Sequence, residues 1–200
     1  FNSHLRAKRY AEALEVATRL GKEKPDDPVP PILIGTVKLA QGDEAGARQA
    51  FEESLRVKPG FPQAAQNLAL LDLRAGQLDA AKSRFENALR YEPKNQRLLL
   101  GLAGLQERVG DAKAAVRTLE SLVESHPQAV EPRVLLARHY TRMGQPEKAL
   151  GLLKVVEQKA GDDPVFLAQK GLTRLEADQN ELATESFGRL VRAVPRSAEA

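Results

Sequence analysis

Three arginines, Arg74, Arg108 and Arg142, stand 34 residues apart. A guanidinium is a planar fork of donors that grips carboxylates and other oxyanions through paired hydrogen bonds. If the elements that carry them repeat, the three form a column able to track an anionic partner. The competing reading is a solvated edge, because Arg is also a good helix former. Glu107, beside Arg108, offsets part of the field. Other reactive residues do not assemble. Of the three histidines, His126 precedes a proline and His139 falls in mid-helix, and nothing makes either converge with His4. No H-E-x-x-H, G-x-x-x-x-G-K-[ST] or G-x-S-x-G pattern occurs. Gly101, Gly104 and Gly110 follow no strand and so do not make a dinucleotide loop. The acidic pairs Asp26-Asp27 and Asp162-Asp163 precede helix starts, where negative charge is favourable, and need no metal or acid–base role. Neither an enzyme nor a cofactor is expected. The absence of Cys excludes disulfides and thiolate metal sites and leaves the compartment open.

The elements that would position the arginines are set out by prolines. Pro25, Pro59, Pro93 and Pro127 are spaced by 34, and Pro195 continues the series after Gly161 takes one turn. A fixed period of this length is the mark of a repeat array. With units at 28–61, 62–95, 96–129, 130–163 and 164–197, the eighth place reads Gly35, Ala69, Ala103, Ala137 and Gly171. The fifteenth reads Gly42, Gly76, Gly110, Gly144 and Asp178, and the twentieth Ala47, Ala81, Ala115, Ala149 and Ala183. The twenty-fourth reads Phe51, Phe85, Leu119, Leu153 and Phe187.

Each place has a physical purpose. Small residues at the eighth and twentieth let two antiparallel helices approach closely. Glycine at the fifteenth ends the first helix by entering the left-handed region. Asp43 and Asp111 are N-cap candidates, and Pro146 suits a first helical turn. The bulky twenty-fourth residue fills the space between hairpins, and the proline ends the second helix. The crowded Pro28, Pro30 and Pro31 put one helix start at Pro30 or Pro31. Lys170, where other units have Ile34, Leu68, Leu102 and Leu136, marks the last hairpin as less well packed. Composition agrees: 42% of residues are hydrophobic, only 4% aromatic, with no Trp, so the core is Leu, Ala and Val. No run approaches the roughly 20 apolar residues of a membrane span.

Leu136-Ala137-Arg138-His139-Tyr140 followed by Gly144, with the small, Phe/Leu and Pro places in register, resembles the tetratricopeptide repeat (TPR) family. The resemblance implies an all-α fold, a right-handed α-α superhelix of antiparallel helix hairpins. It covers one TPR solenoid over 1–200: a partial repeat at 1–27, whose second helix is Tyr10–Arg19, and the five units above. The start at Phe1, the unit-like end Pro195–Ala200 and the missing polar capping helices lead us to expect a fragment of a longer array.

By analogy with that family, places two, five, six, nine, twelve and thirteen line a concave groove. The outer units are apolar there, with Val29, Ile32, Leu33 and Thr36 in one and Val165, Ala168, Leu172 and Leu175 in the other. The middle units offer Gln63, Gln66, Asn67 and Arg74, then Arg97, Glu107 and Arg108, then Glu131, Arg138 and Arg142. These ten are the candidate partner-binding residues. Five Arg against Glu107, Glu131 and Glu176 leave a small positive excess, and aromatic platforms are missing, so a nucleic-acid groove is not expected. The Lys and Asn pattern of chaperone-tail clamps is absent, apart from Asn67. Gly101 and Gly104 either make room in the groove or weaken their helix.

The run Phe61–Ala69 with Leu71-Asp72-Leu73, and the tail from Phe187 to Ala200, resemble the long bacterial TPR lipoproteins of the PEP-CTERM/exosortase system. That likeness implies a periplasmic scaffold in envelope protein sorting or exopolysaccharide production, anchored by a lipid outside this segment; a cytoplasmic location is the alternative. The expected partner is a protein or peptide in the groove. The alternative is an acidic polysaccharide on the Arg column, and end-to-end self-association is open to exposed terminal hairpins.

Overall fold

In the computed structural model, residues 1–194 are described, without the side chains of His4 and Arg6. They hold twelve helices and no strand among the described residues. The chain divides into two compact units, Phe1–Val109 and Gly110–Ala200. The first holds α1 (Asn2–Arg6), α2 (Tyr10–Glu23), α3 (Val29–Ala40), α4 (Glu44–Val57), α5 (Pro62–Arg74), α6 (Leu78–Leu89) and α7 (Gln96–Arg108). The second holds α8 (Ala112–Ser125), α9 (Val130–Arg142), α10 (Pro146–Ala160), α11 (Pro164–Glu176) and α12 (Asn180–Ala193). The division falls inside the 96–129 repeat, between its two helices. Pro195–Ala200, where a further unit was expected to open, lies outside the described residues.

Helix ends follow the repeat. Asp43 caps α4 by accepting from the Gly46 amide at 2.8 Å, and Asp111 caps α8 by accepting from Ala114 at 3.0 Å. These bonds satisfy amides that have no partner inside the helix. α10 starts at Pro146, as expected. α3 starts one residue earlier than the prolines suggest, at Val29, whose amide donates to Asp27 Oδ1 at 2.9 Å. Pro30 and Pro31 then sit in the first turn, where a missing N–H costs no helical bond. α2 runs a turn beyond Arg19, to Glu23. α10 is the longest helix, with 15 residues, because Gly161 stands where other units have the proline that blocks continuation.

First helices end in one recurrent way. Gly42, Gly76 and Gly144 take φ of 83°, 74° and 66°. The amide that follows each glycine donates five residues back, for example Gln77 to Asp72 at 2.8 Å and Gln145 to Tyr140 at 2.8 Å. This is the Schellman closure. Asp178 makes the same turn at φ 59°, with Gln179 donating to Arg174 at 2.8 Å. Asp is among the few non-glycine residues that tolerate this region.

The core lies between helices. Ala47, Ala81, Ala149 and Ala183 are fully buried, as their place requires. In the first unit Phe51 packs with Ile32, Ala64, Leu68 and Leu71, and Phe85 with Ala65, Ala69, Leu98 and Leu102. In the second, Leu153, Val156, Phe166 and Leu167 form the centre. In the last hairpin Gly171 lies directly under the Phe187 ring, as Gly35 lies under Phe51. Phe187 itself is only half-buried. Lys170 is buried and paired with Glu157 of α10. No described helix is long and apolar enough to cross a membrane.

Candidate functional site

In the first unit, α5 and α7 are neighbours. Gln63, Gln66, Asn67, Leu70 and Arg74 are spaced so that one face of α5 carries them all. Gln63, Gln66 and Arg74 are exposed, Asn67 is half-buried, and Leu70 is exposed among them. α7 contributes exposed Arg97 and Arg108 and half-buried Glu107. The structure therefore brings seven of the ten candidates onto two adjacent helices. Carboxamides offer both a donor and an acceptor, which matches the needs of an extended peptide backbone.

Ile32 does not belong to such a surface. It is fully buried against Phe51 and Leu68. Gly101 does not open space either, because the Phe85 ring fills it. Gly104 has nothing within 4 Å of the position its Cβ would take.

The arginines of the 34-residue series share a local role. Arg74, Arg108 and Arg142 are each the last residue of their helices, α5, α7 and α9. A cation there is favoured by the exposed carbonyls and the helix dipole. Arg74 also lies 3.5 Å from Glu44 of α4, with both side chains more than half exposed. Such a surface pair contributes little to stability.

The second unit carries Glu131, Arg138 and Arg142 on α9. Glu131 and Arg142 are exposed and Arg138 is half-buried. Here the first turns of the neighbouring helices α9 and α11 enclose a cleft of about 360 Å³ lined by Val130, Glu131, Val134, Leu135, Asp163 and Val165.

A second set of polar residues works inside the units. The eleventh place reads Lys38, Asp72, Gln106, Tyr140 and Arg174, polar in every unit. Asp72, 1% exposed, accepts from Arg48 Nη1 of α4 at 2.5 Å and from Arg84 Nε of α6 at 3.1 Å. Arg84 also lies 3.7 Å from Glu52. Tyr140 donates to Glu120 of α8 at 2.5 Å. That bond, with burial second, pushes the Tyr140 phenol up to about 12. Arg174 donates to the Leu182 carbonyl and to Ser186 Oγ on α12. Sequence reading passed over these links, although an unbroken polar column at one place was there to be seen.

Ser125 Oγ lies 3.0 Å from His126 Nδ1. Ser125 is turned back onto the carbonyls of Ser121 and Leu122, and no third group is hydrogen-bonded to the ring among the described residues. No group of three metal-ligating side chains occurs among the described residues.

Antiparallel helix hairpins at a 34-residue period, with exposed polar faces on α5 and α7, define a helical-repeat binding scaffold. The tetratricopeptide repeat model matches residues 72–130 and 108–170, and the chain belongs to the tetratricopeptide repeat family. Proteins of this family bind protein or peptide partners and are generally non-catalytic scaffolds. Solved structures share the fold at low identity. YrrB, described as "a TPR protein with an unusual peptide-binding site", has a TM-score of 0.66 at 20% identity, covering 92% of this chain and 95% of that one. MamA of Desulfovibrio magneticus RS-1 has a TM-score of 0.67 at 18% identity, covering 86% and 97%. Pseudomonas aeruginosa pilF has a TM-score of 0.73 at 13% identity, covering 98% and 89%. No curated protein matches in sequence.

Proposed function

We propose that this chain is a non-catalytic scaffold that holds an extended peptide segment of a protein partner along its first helices, in bacterial envelope protein sorting or exopolysaccharide export. The observation that carries the binding reading is the wall on α5 and α7. Gln63, Gln66 and Arg97 are exposed at recurring places of adjacent helices, and Asn67 completes a run of carboxamides. The envelope setting, in the periplasm, rests on the likeness of Phe61–Leu73 to exosortase-associated repeat lipoproteins. The polysaccharide alternative has less support. Its Arg column consists of helix-terminal residues, and Arg74 has Glu44 beside it.

The test is an affinity capture with the chain as bait against periplasmic, membrane and cytoplasmic extracts. The comparison baits carry Gln63→Ala, Gln66→Ala and Arg97→Ala, or Arg74→Ala, Arg108→Ala and Arg142→Ala. An envelope protein lost with the first set supports the proposal. A partner found only in the cytoplasmic extract overturns the envelope setting. Retention of acidic polysaccharide, lost with the second set and without any protein captured, overturns the peptide reading.

A further inference from the structure

The first-helix walls of the two units use the same repeat places for different chemistry. The α9–α11 cleft has Val130, Val134, Leu135 and Val165 as walls and Glu131 and Asp163 as its polar groups. Two periods earlier the places of Glu131, Val134, Leu135, Asp163 and Val165 hold Gln63, Gln66, Asn67, Asn95 and Arg97. One set is carboxamide and cationic; the other is aliphatic and anionic. A single repetitive ligand does not satisfy both.

The two carboxylates are placed to act on a ligand. Asp163 is the N-cap of α11, and its Oδ1 accepts from the Phe166 amide at 2.8 Å. That bond fixes the carboxylate, and Oδ2 has no hydrogen bond among the described residues. Glu131, in the first turn of α9, is exposed and makes no ion pair among the described residues. The nearest cation in sequence, Arg133, is turned about 200° around the helix from Glu131. It is buried, with Nε donating to the Pro127 carbonyl at 2.9 Å. Val165 is 68% exposed, so the aliphatic wall is open to an incoming group.

An aliphatic stem with a cationic end fits this cleft on both counts. Long basic side chains bury their methylenes along apolar surface and keep the charged head in water. Here the head would meet two carboxylates at the rim. A carboxylate-bearing side chain would be repelled by the same pair. We propose that the α9–α11 cleft receives a lysine or arginine side chain of the bound peptide, anchoring one register on the scaffold. This rests on the peptide-binding reading above.

The test uses minimal probes on the intact chain. Methyl resonances of Val130, Val134, Leu135 and Val165 are followed while n-pentylammonium, or separately hexanoate, is added. We expect pentylammonium to saturate these shifts at a concentration at least about tenfold lower than hexanoate. In the Glu131→Gln, Asp163→Asn double variant the preference should vanish with circular dichroism unchanged, because Asn is also a good N-cap. Equal response to both probes, no response, or a preference that survives the double variant would overturn the proposal. A protein captured through Gln63 and Gln66 alongside a failed probe titration leaves the scaffold reading standing and removes this one. A positive titration with no captured protein leaves the cleft's preference for an aliphatic cation but overturns a peptide as its source.

Discussion

The ring of Phe85 occupies the space that a side chain at Gly101 would need. A Cβ on Gly101 would stand 2.4 Å from Phe85 Cε1. Phe51 stands in the same relation to Gly35, and Phe187 to Gly171, but those pairs lie within one hairpin. Phe85 instead reaches forward from α6 to α7, because Ala69 occupies the place that would otherwise seat it. Gly101→Ala should therefore cost about 1–3 kcal/mol through forced repacking. Gly104→Ala, on the same helix with open space around it, should stabilise by about 0.5–1 kcal/mol. Urea denaturation of the two variants decides between a ring seat and a vacant groove floor.

Asp72 joins three helices through one buried carboxylate. Asp72→Ala leaves Arg48 without its anion and Arg84 with only Glu52 at 3.7 Å, and we expect a loss of about 3 kcal/mol. Arg48→Ala should cost less, because Arg84 still neutralises Asp72. The measurement is the denaturation midpoint, and equal costs for the two variants would contradict the shared-carboxylate arrangement.

Lys170 stands where the other units have Ile or Leu, and its ammonium pairs with Glu157. The Lys170 hydrogen bond holds the Glu157 carboxyl below its ordinary 4.5, against the opposing effect of burial. The folded chain binds that proton less readily than the unfolded chain. The contribution is therefore complete above pH 4.5 and is lost as the pH falls through the lowered value. Replacing both partners, Lys170→Leu with Glu157→Leu, should match or exceed the parent in stability at neutral pH, by up to about 1 kcal/mol. The double variant should also show a shallower loss of Tm on acidification.

Tyr140 predicts the opposite limb of the pH profile. Its phenol is raised from 10.0 to about 12 by the bond to Glu120. The folded chain holds this proton more tightly, so the contribution is complete below pH 10 and disappears as the pH rises to about 12. Tyr140→Phe should lower Tm at neutral pH by removing the bond and should flatten the alkaline decline. A parallel decline in both proteins would contradict the assignment.

Much of this was legible in the chain. The prolines, the left-handed turn at Gly42, Gly76 and Gly144, the Asp43 and Asp111 caps and the small buried residues each act within a hairpin or between consecutive helices. Local backbone geometry recurs whenever the residue recurs, so a 34-residue period reports it directly. The exposed carboxamides Gln63 and Gln66 were legible for the same reason. Place on a helix determines which side a residue faces.

The tertiary structure decided matters that depend on which neighbour a side chain reaches. It assigned Asp72 to Arg48 and Arg84, buried Ile32, filled Gly101 with Phe85, divided the chain at Val109 and Gly110, and gathered Val134, Leu135 and Val165 around Glu131 and Asp163. Repeat place alone does not settle these outcomes. A given place holds different residues in successive units, and packing depends on the volume and charge of each particular pair.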